Sequence, residues 1–150
     1  MSVNSNINIE NARIIFRNFS GKEGKYNREG QRSFCVIIDD STAQQLMNDG
    51  WNVRILQSRD EDETPKYYIQ VAVSYENIPP HIYMISRGKK TRLDEDTVSE
   101  LDYAEIGNAD IVIRPYNWEV NGKKGIKAYL QTLYITVYED AFADKYSDLF

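Results

Sequence analysis

A chain of 150 residues fits one domain, long enough to bury about two-thirds of its unfolded surface around a single core. Its formal net charge of −5 weighs against an anionic partner unless the cations are clustered, and its single cysteine, Cys35, excludes an internal disulfide and any thiolate cluster for zinc or iron–sulfur. The longest apolar runs, such as Ile14-Ile15-Phe16, are too short to span a bilayer or serve a signal peptide, so the expectation is a soluble, cytoplasmic protein with no membrane partner.

Residues 1–7 read as a polar lead-in, and alternation predicts a first strand over about 9–19. The segment 20–30 interleaves Gly21, Gly24 and Gly30 with Lys22, Lys25 and Arg28 and lacks helical periodicity, so it reads as a flexible basic loop between strands. It is not a Walker loop, because Gly21-Lys22 runs into Glu23 rather than a hydroxyl residue opening a helix. A second strand spans 32–39; Ser41 then caps a short helix through Met47, closed by Gly50. A third strand covers 51–57, and Asp60-Glu61-Asp62-Glu63 beside Pro65 reads as a solvated hairpin tip, not a metal site.

A fourth strand runs over 67–75, and a fifth over 82–87, with His81 in a turn after Pro79-Pro80 and with Gly88-Lys89-Lys90 as a basic turn. Residues 94–103 fit a second short helix with acids in its first turn, where they favour the dipole. Asp94, Asp96 and Glu100 do not make a calcium loop, since Val98 occupies a ligand position and the required glycine is missing. Strands over 110–118 and 126–137 bring the count to about seven. On the last of them the apolar phase switches from Ile126, Ala128 and Leu130 to Leu133, Ile135 and Val137, which predicts a bulge near Gln131 and Thr132.

These elements place the chain in the mainly β class: an OB-fold, that is, a Greek-key β-barrel of the oligonucleotide/oligosaccharide-binding type, with about seven strands and two short helices over 1–138 and a short C-terminal tail over 139–150. A β-sandwich is the alternative.

The final hairpin carries the chemistry. Asn121-Gly122 between two alternating runs is a strong hairpin signal, and Arg114, Tyr116 and Trp118 share one face with Lys127 and Tyr129 of the return strand. With the turn centred near Gly122 and Lys123, Trp118 stands opposite Lys127, Tyr116 opposite Tyr129, and Arg114 opposite Gln131. Aromatic rings on which bases stack, between cations that neutralise phosphates, suit single-stranded nucleic acid. The plain alternative is that Tyr116, Trp118 and Tyr129 are ordinary core packing.

Charge distribution agrees with an anionic strand. Fourteen of the eighteen cations lie in three segments, 13–32, 87–92 and 114–127, while acids gather at 60–63, 94–105 and near the end. If those basic segments converge, a positive groove can bind phosphates despite the net charge. Cys35 in an apolar strand and His81, the only histidine, give no nucleophile–base pair, and no metal or phosphate loop is present, so neither an enzyme nor a cofactor is expected.

Pro115-Tyr116, Trp118, the turn glycines Gly122 and Gly125, Lys127, Leu130 and the exit run Leu133-Tyr134-Ile135-Thr136-Val137 resemble the final hairpin of single-stranded DNA-binding proteins encoded by short-tailed coliphages. The turn Tyr26-Asn27-Arg28-Glu29-Gly30 entering Phe34-Cys35-Val36 is similar to a second element of that family. The resemblance implies an oligonucleotide-binding barrel without catalysis that serves replication or recombination of phage or prophage DNA. Those relatives end in a long acidic tail with a terminal aromatic; here the tail is short, and Asp148-Leu149-Phe150 resembles the tip offered to phage or host replication proteins. Alternatively Phe142, Tyr146 and Phe150, at four-residue spacing, form a helix face packed on the barrel or on a second subunit in a homodimer.

The reading is sequence-tolerant binding of single-stranded DNA. Tyr116, Trp118 and Tyr129 stack bases; Arg17, Lys22, Lys25, Arg28, Arg114 and Lys127 contact phosphates; Lys89, Lys90, Lys123 and Lys124 extend the groove. Its rival is a phage interaction module whose acidic face binds a host protein or mimics DNA.

Overall fold

The computed structural model describes residues 5–25, 28–56, 65–76 and 78–138. Among them are nine strands and one α-helix: β1 (Ile7–Ile9), β2 (Arg13–Asn18), β3 (Arg32–Ile38), α1 (Asp40–Asp49), β4 (Val53–Leu56), β5 (Lys66–Val73), β6 (His81–Ser86), β7 (Lys89–Leu93), β8 (Glu105–Val120) and β9 (Lys123–Tyr138). The chain is mainly β, but the expected seven strands become nine. The first expected strand is broken at Asn11, whose φ of 49° is left-handed, and Lys89 and Lys90, read as part of a basic turn, instead open an edge strand that pairs along β6.

The second expected helix shrinks to a 3-10 turn, Val98–Asp102. Its acids do not feed a helix dipole. Asp94 instead folds back locally, its carboxylate accepting from the Thr97 hydroxyl at 3.0 Å and from the amides of Asp96 and Thr97 at 2.9 and 3.0 Å. In α1 the cap is Asp39 rather than Ser41: its carboxylate accepts from the Thr42 amide at 2.7 Å, and that bond holds its pKa below the usual carboxylate range. Gly50 ends the helix at φ 99°.

The spine is the hairpin β8–β9. Val120 faces Lys123, leaving Asn121 (φ 51°) and Gly122 (φ 80°) as a two-residue turn with both angles positive, the mirror-image geometry that suits strand twist. The turn therefore centres one position earlier than expected. Trp118 faces Gly125, Tyr116 faces Lys127, and Arg114 faces Tyr129. Because this moves each partner by two residues, every side chain keeps its predicted face.

Along β9 the register skips Gln131, since Val112 faces Thr132 while Ile113 faces Leu130. That is the bulge the phase switch required, and Ile126, Ala128, Leu130, Leu133 and Ile135 all point into the core. A second skip falls at Gly107, where a Cβ would lie 2.8 Å from the Tyr138 ring.

The strand path runs β1-β8-β9-β5-β3-β2, with β4 beside β5 and with β6 and β7 beyond the far half of β9. No ladder among the described residues joins β1 to β2, so pairing does not close the sheet. The core is apolar throughout, built around Phe19, Phe34, Ile69, Ile111, Ile113 and Leu133. α1 anchors the hairpin: the Ile126 amide donates to the Gly50 carbonyl at 3.2 Å, and buried Trp51 bridges to Ile126. Residues 57–64, with the acidic run, and 139–150, with the tail, lie outside the described residues.

Candidate nucleic-acid interface

Alternation on β5 buries Ile69, Val71 and Val73 and turns Tyr68, Gln70 and Ala72 outward, with Ser33 of β3 opposite Ala72. This outward face floors an open groove of about 1200 Å³. Trp118, Lys124, Lys127 and Tyr129 of the hairpin form one wall, and Arg32, Tyr75 and Glu95 close the far end.

The hairpin wall is built for ring surfaces. Trp118 lies across Gly125, where a Cβ would come within 2.5 Å of its Cζ2, so only glycine leaves room for the indole to lie flat on the strand. Tyr129 is shared by two cations, with the Arg114 guanidinium and the Lys127 ammonium each 5.1 Å from its centroid. Tyr116 meets Tyr129 edge-on at 5.9 Å and 88°. With Tyr116 51% and Trp118 38% exposed, these two rings are surface and not core.

At the far end, Arg32 stacks over the Tyr75 ring at 5.5 Å and pairs with Glu95 at 3.5 Å. The Tyr75 hydroxyl and the Arg32 Nε are buried without a hydrogen-bond partner. Burial pushes the Tyr75 phenol up to about 12, so at neutral pH it is a neutral group able to donate to a ligand.

The expected phosphate contacts divide. Lys124 and Lys127 line the groove; Arg114 and Lys123 sit on the same hairpin outside its lining. The basic loop closes at its neck, where the Gly30 amide donates to the Gly21 carbonyl at 2.8 Å, and Lys25 and Arg28 lie within it. Lys22 donates to the Tyr103 hydroxyl at 2.7 Å, an interaction that raises its pKa. Arg17 is occupied by the fold: its Nη1 donates to the carbonyls of Leu101 and Ala104, both at 2.7 Å. Lys89 and Lys90 lie on β7, away from the groove lining.

Sequence reasoning missed Arg32, Gln70 and Tyr75, and also Phe16, which a bulge in β2 at φ 51° leaves 61% exposed, 5.9 Å from the Tyr68 ring. The outward triad Tyr68, Gln70 and Ala72 was detectable from alternation alone. Among the described residues no group of His, Cys, Asp or Glu could hold a metal. Burial pushes the Cys35 thiol up to about 11, the opposite of what a nucleophile needs. Among the described residues no helix is long and apolar enough to cross a membrane.

A solvent-facing aromatic wall with cations beside it is the geometry that suits single-stranded nucleic acid. The family described as "Putative phage ssDNA-binding domain" matches residues 2–150, and the chain belongs to it. Among solved structures, the single-stranded DNA-binding protein of bacteriophage Enc34 is similar at 14% identity with a TM-score of 0.57, over 96% of this chain and 89% of that one. The same phage protein in complex with ssDNA is similar at 14% identity and a TM-score of 0.56, over 91% and 89% of the two chains. The bacteriophage T7 protein gp2.5 is also found, at 11% identity and a TM-score of 0.41, over 96% and 93%. No curated protein matches the chain.

Proposed function

We propose that this protein coats single-stranded DNA without reading its sequence, in the cytoplasm of a bacterium replicating or recombining phage DNA. The observation that carries this reading is the groove wall: Trp118 laid on Gly125 and Tyr129 flanked by Arg114 and Lys127, all facing out. Stacking rings accept any base, and lysines accept any phosphate, so the wall binds strand rather than sequence. A duplex would hide the base faces that the rings need. The Enc34 protein, which has the same fold, is solved with ssDNA bound.

The fold is best read as an OB-fold barrel. Its supporting observation is that β1 and β2, the two ends of the strand path, are consecutive pieces of one bent segment, 7–18, so the cyclic order returns to its start through the chain itself. In that class the ligand face is formed by the second and third barrel strands between the loops joining strands one to two and four to five. Here those are β3 and β5, the end of the basic loop at Gly30 and Gln31, and the β8–β9 hairpin at Trp118, Lys124 and Gly125, all of which border the groove. The site binds and does not catalyse. By resemblance, Asp148-Leu149-Phe150 would offer the docking tip for replication proteins.

Quenching of Trp51 and Trp118 fluorescence by an oligothymidine, set against a duplex of equal length, tests the reading. Saturable quenching by the single strand, with weaker or no quenching by the duplex, is expected. No response to either would overturn it and favour an interaction module working through the acidic face.

A further inference from the structure

Beyond the Gln131 bulge the outward face of β9 carries a second aromatic and cationic cluster that does not line the groove. Tyr134, 41% exposed, stacks on Tyr83 of β6 with centroids 5.1 Å apart and planes 16° off parallel. From β7, Lys90 sets its Nζ 4.9 Å from the Tyr83 centroid. Arg92 faces Tyr83 across the β6–β7 ladder and lies 3.2 Å from His81 Nδ1, while Lys89, paired with Ser86, falls on the opposite face of the strand. The acid nearest in register is Asp110, opposite Tyr134, and its Oδ1 accepts the Asn11 amide at 2.9 Å.

We propose that Tyr134, Tyr83, Lys90 and Arg92 form a second contact site for single-stranded nucleic acid, engaged by the strand as it leaves the groove. The proposal rests on the binding function assigned above. Two cations, Lys90 and Arg92, against Asp110 make the patch complementary to a phosphate backbone. The exposed side of Tyr134 continues a stack already begun by Tyr83, the geometry a base extends. The patch also lies in line with the groove: β9 presents Lys127 and Tyr129 outward before the bulge and Tyr134 outward after it. Five residues of strand separate Tyr129 from Tyr134, about 16 Å at roughly 3.3 Å per residue, a gap that a few extended nucleotides cover. Binding by such barrels occupies roughly 4–16 nucleotides, so a two-patch path predicts a site toward the upper end of that range.

Two oligothymidines, one of about 6 nucleotides that fits the groove alone and one of about 20 that reaches both patches, separate this proposal from the groove itself. The full chain is compared with Tyr134→Ala and with a double variant, Lys90→Ala and Arg92→Ala, whose changes fall on exposed positions of the edge strand and leave the stacked tyrosines in place. Affinity for the long oligonucleotide is expected to fall about ten-fold in each variant, with affinity for the short one unchanged. Equal losses at both lengths, or none at either, would overturn the second site while leaving the groove reading intact. An unaltered chain that binds neither length would overturn the groove reading, and this proposal with it.

Discussion

In the proposed mode of binding, Gly125 and Trp118 are the smallest unit that can be tested. Trp118→Ala should weaken single-strand binding by about 1–3 kcal/mol, the worth of one stacked base, and leave the melting temperature within a few degrees because the ring is on the surface. Gly125→Ala touches no nucleic acid, yet its methyl would land 2.5 Å from the indole Cζ2, so the ring must lift from the strand. A fluorescence titration should show part of the Trp118→Ala loss in Gly125→Ala; full retention of affinity would mean that the flat seat is irrelevant. Cys35 gives a second check at this scale. With its thiol pushed up to about 11 and its side chain buried, it should resist a colorimetric thiol reagent at pH 8 in the folded protein and react at once in denaturant. Rapid reaction in the native state would refute its burial in β3.

Single elements show why part of the site could be read from sequence and part could not. The hairpin was legible because its cues are local: Asn121-Gly122 fixes the turn, and alternation fixes the faces even though the register expected was two positions off. Arg17 and Asp102 were opaque because their partners lie far along the chain. Arg17 caps carbonyls 84 and 87 residues away, and the Asp102 carboxylate accepts the amides of Phe19 at 2.6 Å and Ser20 at 3.0 Å. β7 offered no alternation to find, with four of its five residues exposed on an edge. Arg32 and Tyr75 meet only because β3 and β5 pair so that Arg32 faces Val73, two residues before Tyr75. The Asp102 contacts tie the base of the basic loop to the 3-10 turn, so Asp102→Ala should cost about 1–3 kcal/mol of stability, as expected when amides lose a charged acceptor. Urea unfolding measures it. An unchanged midpoint would show that the two bonds do not hold the loop.

A molecule with a net charge of −5 can still present cations to a strand, because charge acts locally in salt. At about 0.1 M salt the screening length is about 10 Å, so acids farther off than that contribute little, and the local balance is set by Lys124 and Lys127 against Glu76 and Glu95, which share the groove lining. Each phosphate neutralised on a single strand contributes a slope near −0.7 in a log–log plot of affinity against salt, and about four contacts therefore give roughly −3. Removing one contact, as in Lys127→Ala, should bring the slope about 0.7 closer to zero for any base composition, because the lysine meets phosphate and reads no base. Trp118→Ala should lower affinity at every salt concentration and leave the slope unaltered, since stacking displaces no counterion. Titrations with oligothymidine over about 0.05–0.5 M sodium chloride distinguish the two kinds of contact. A flat plot for the unaltered protein would remove the electrostatic half of the account. A slope that moved with Trp118→Ala instead of Lys127→Ala would exchange the roles given to the two residues.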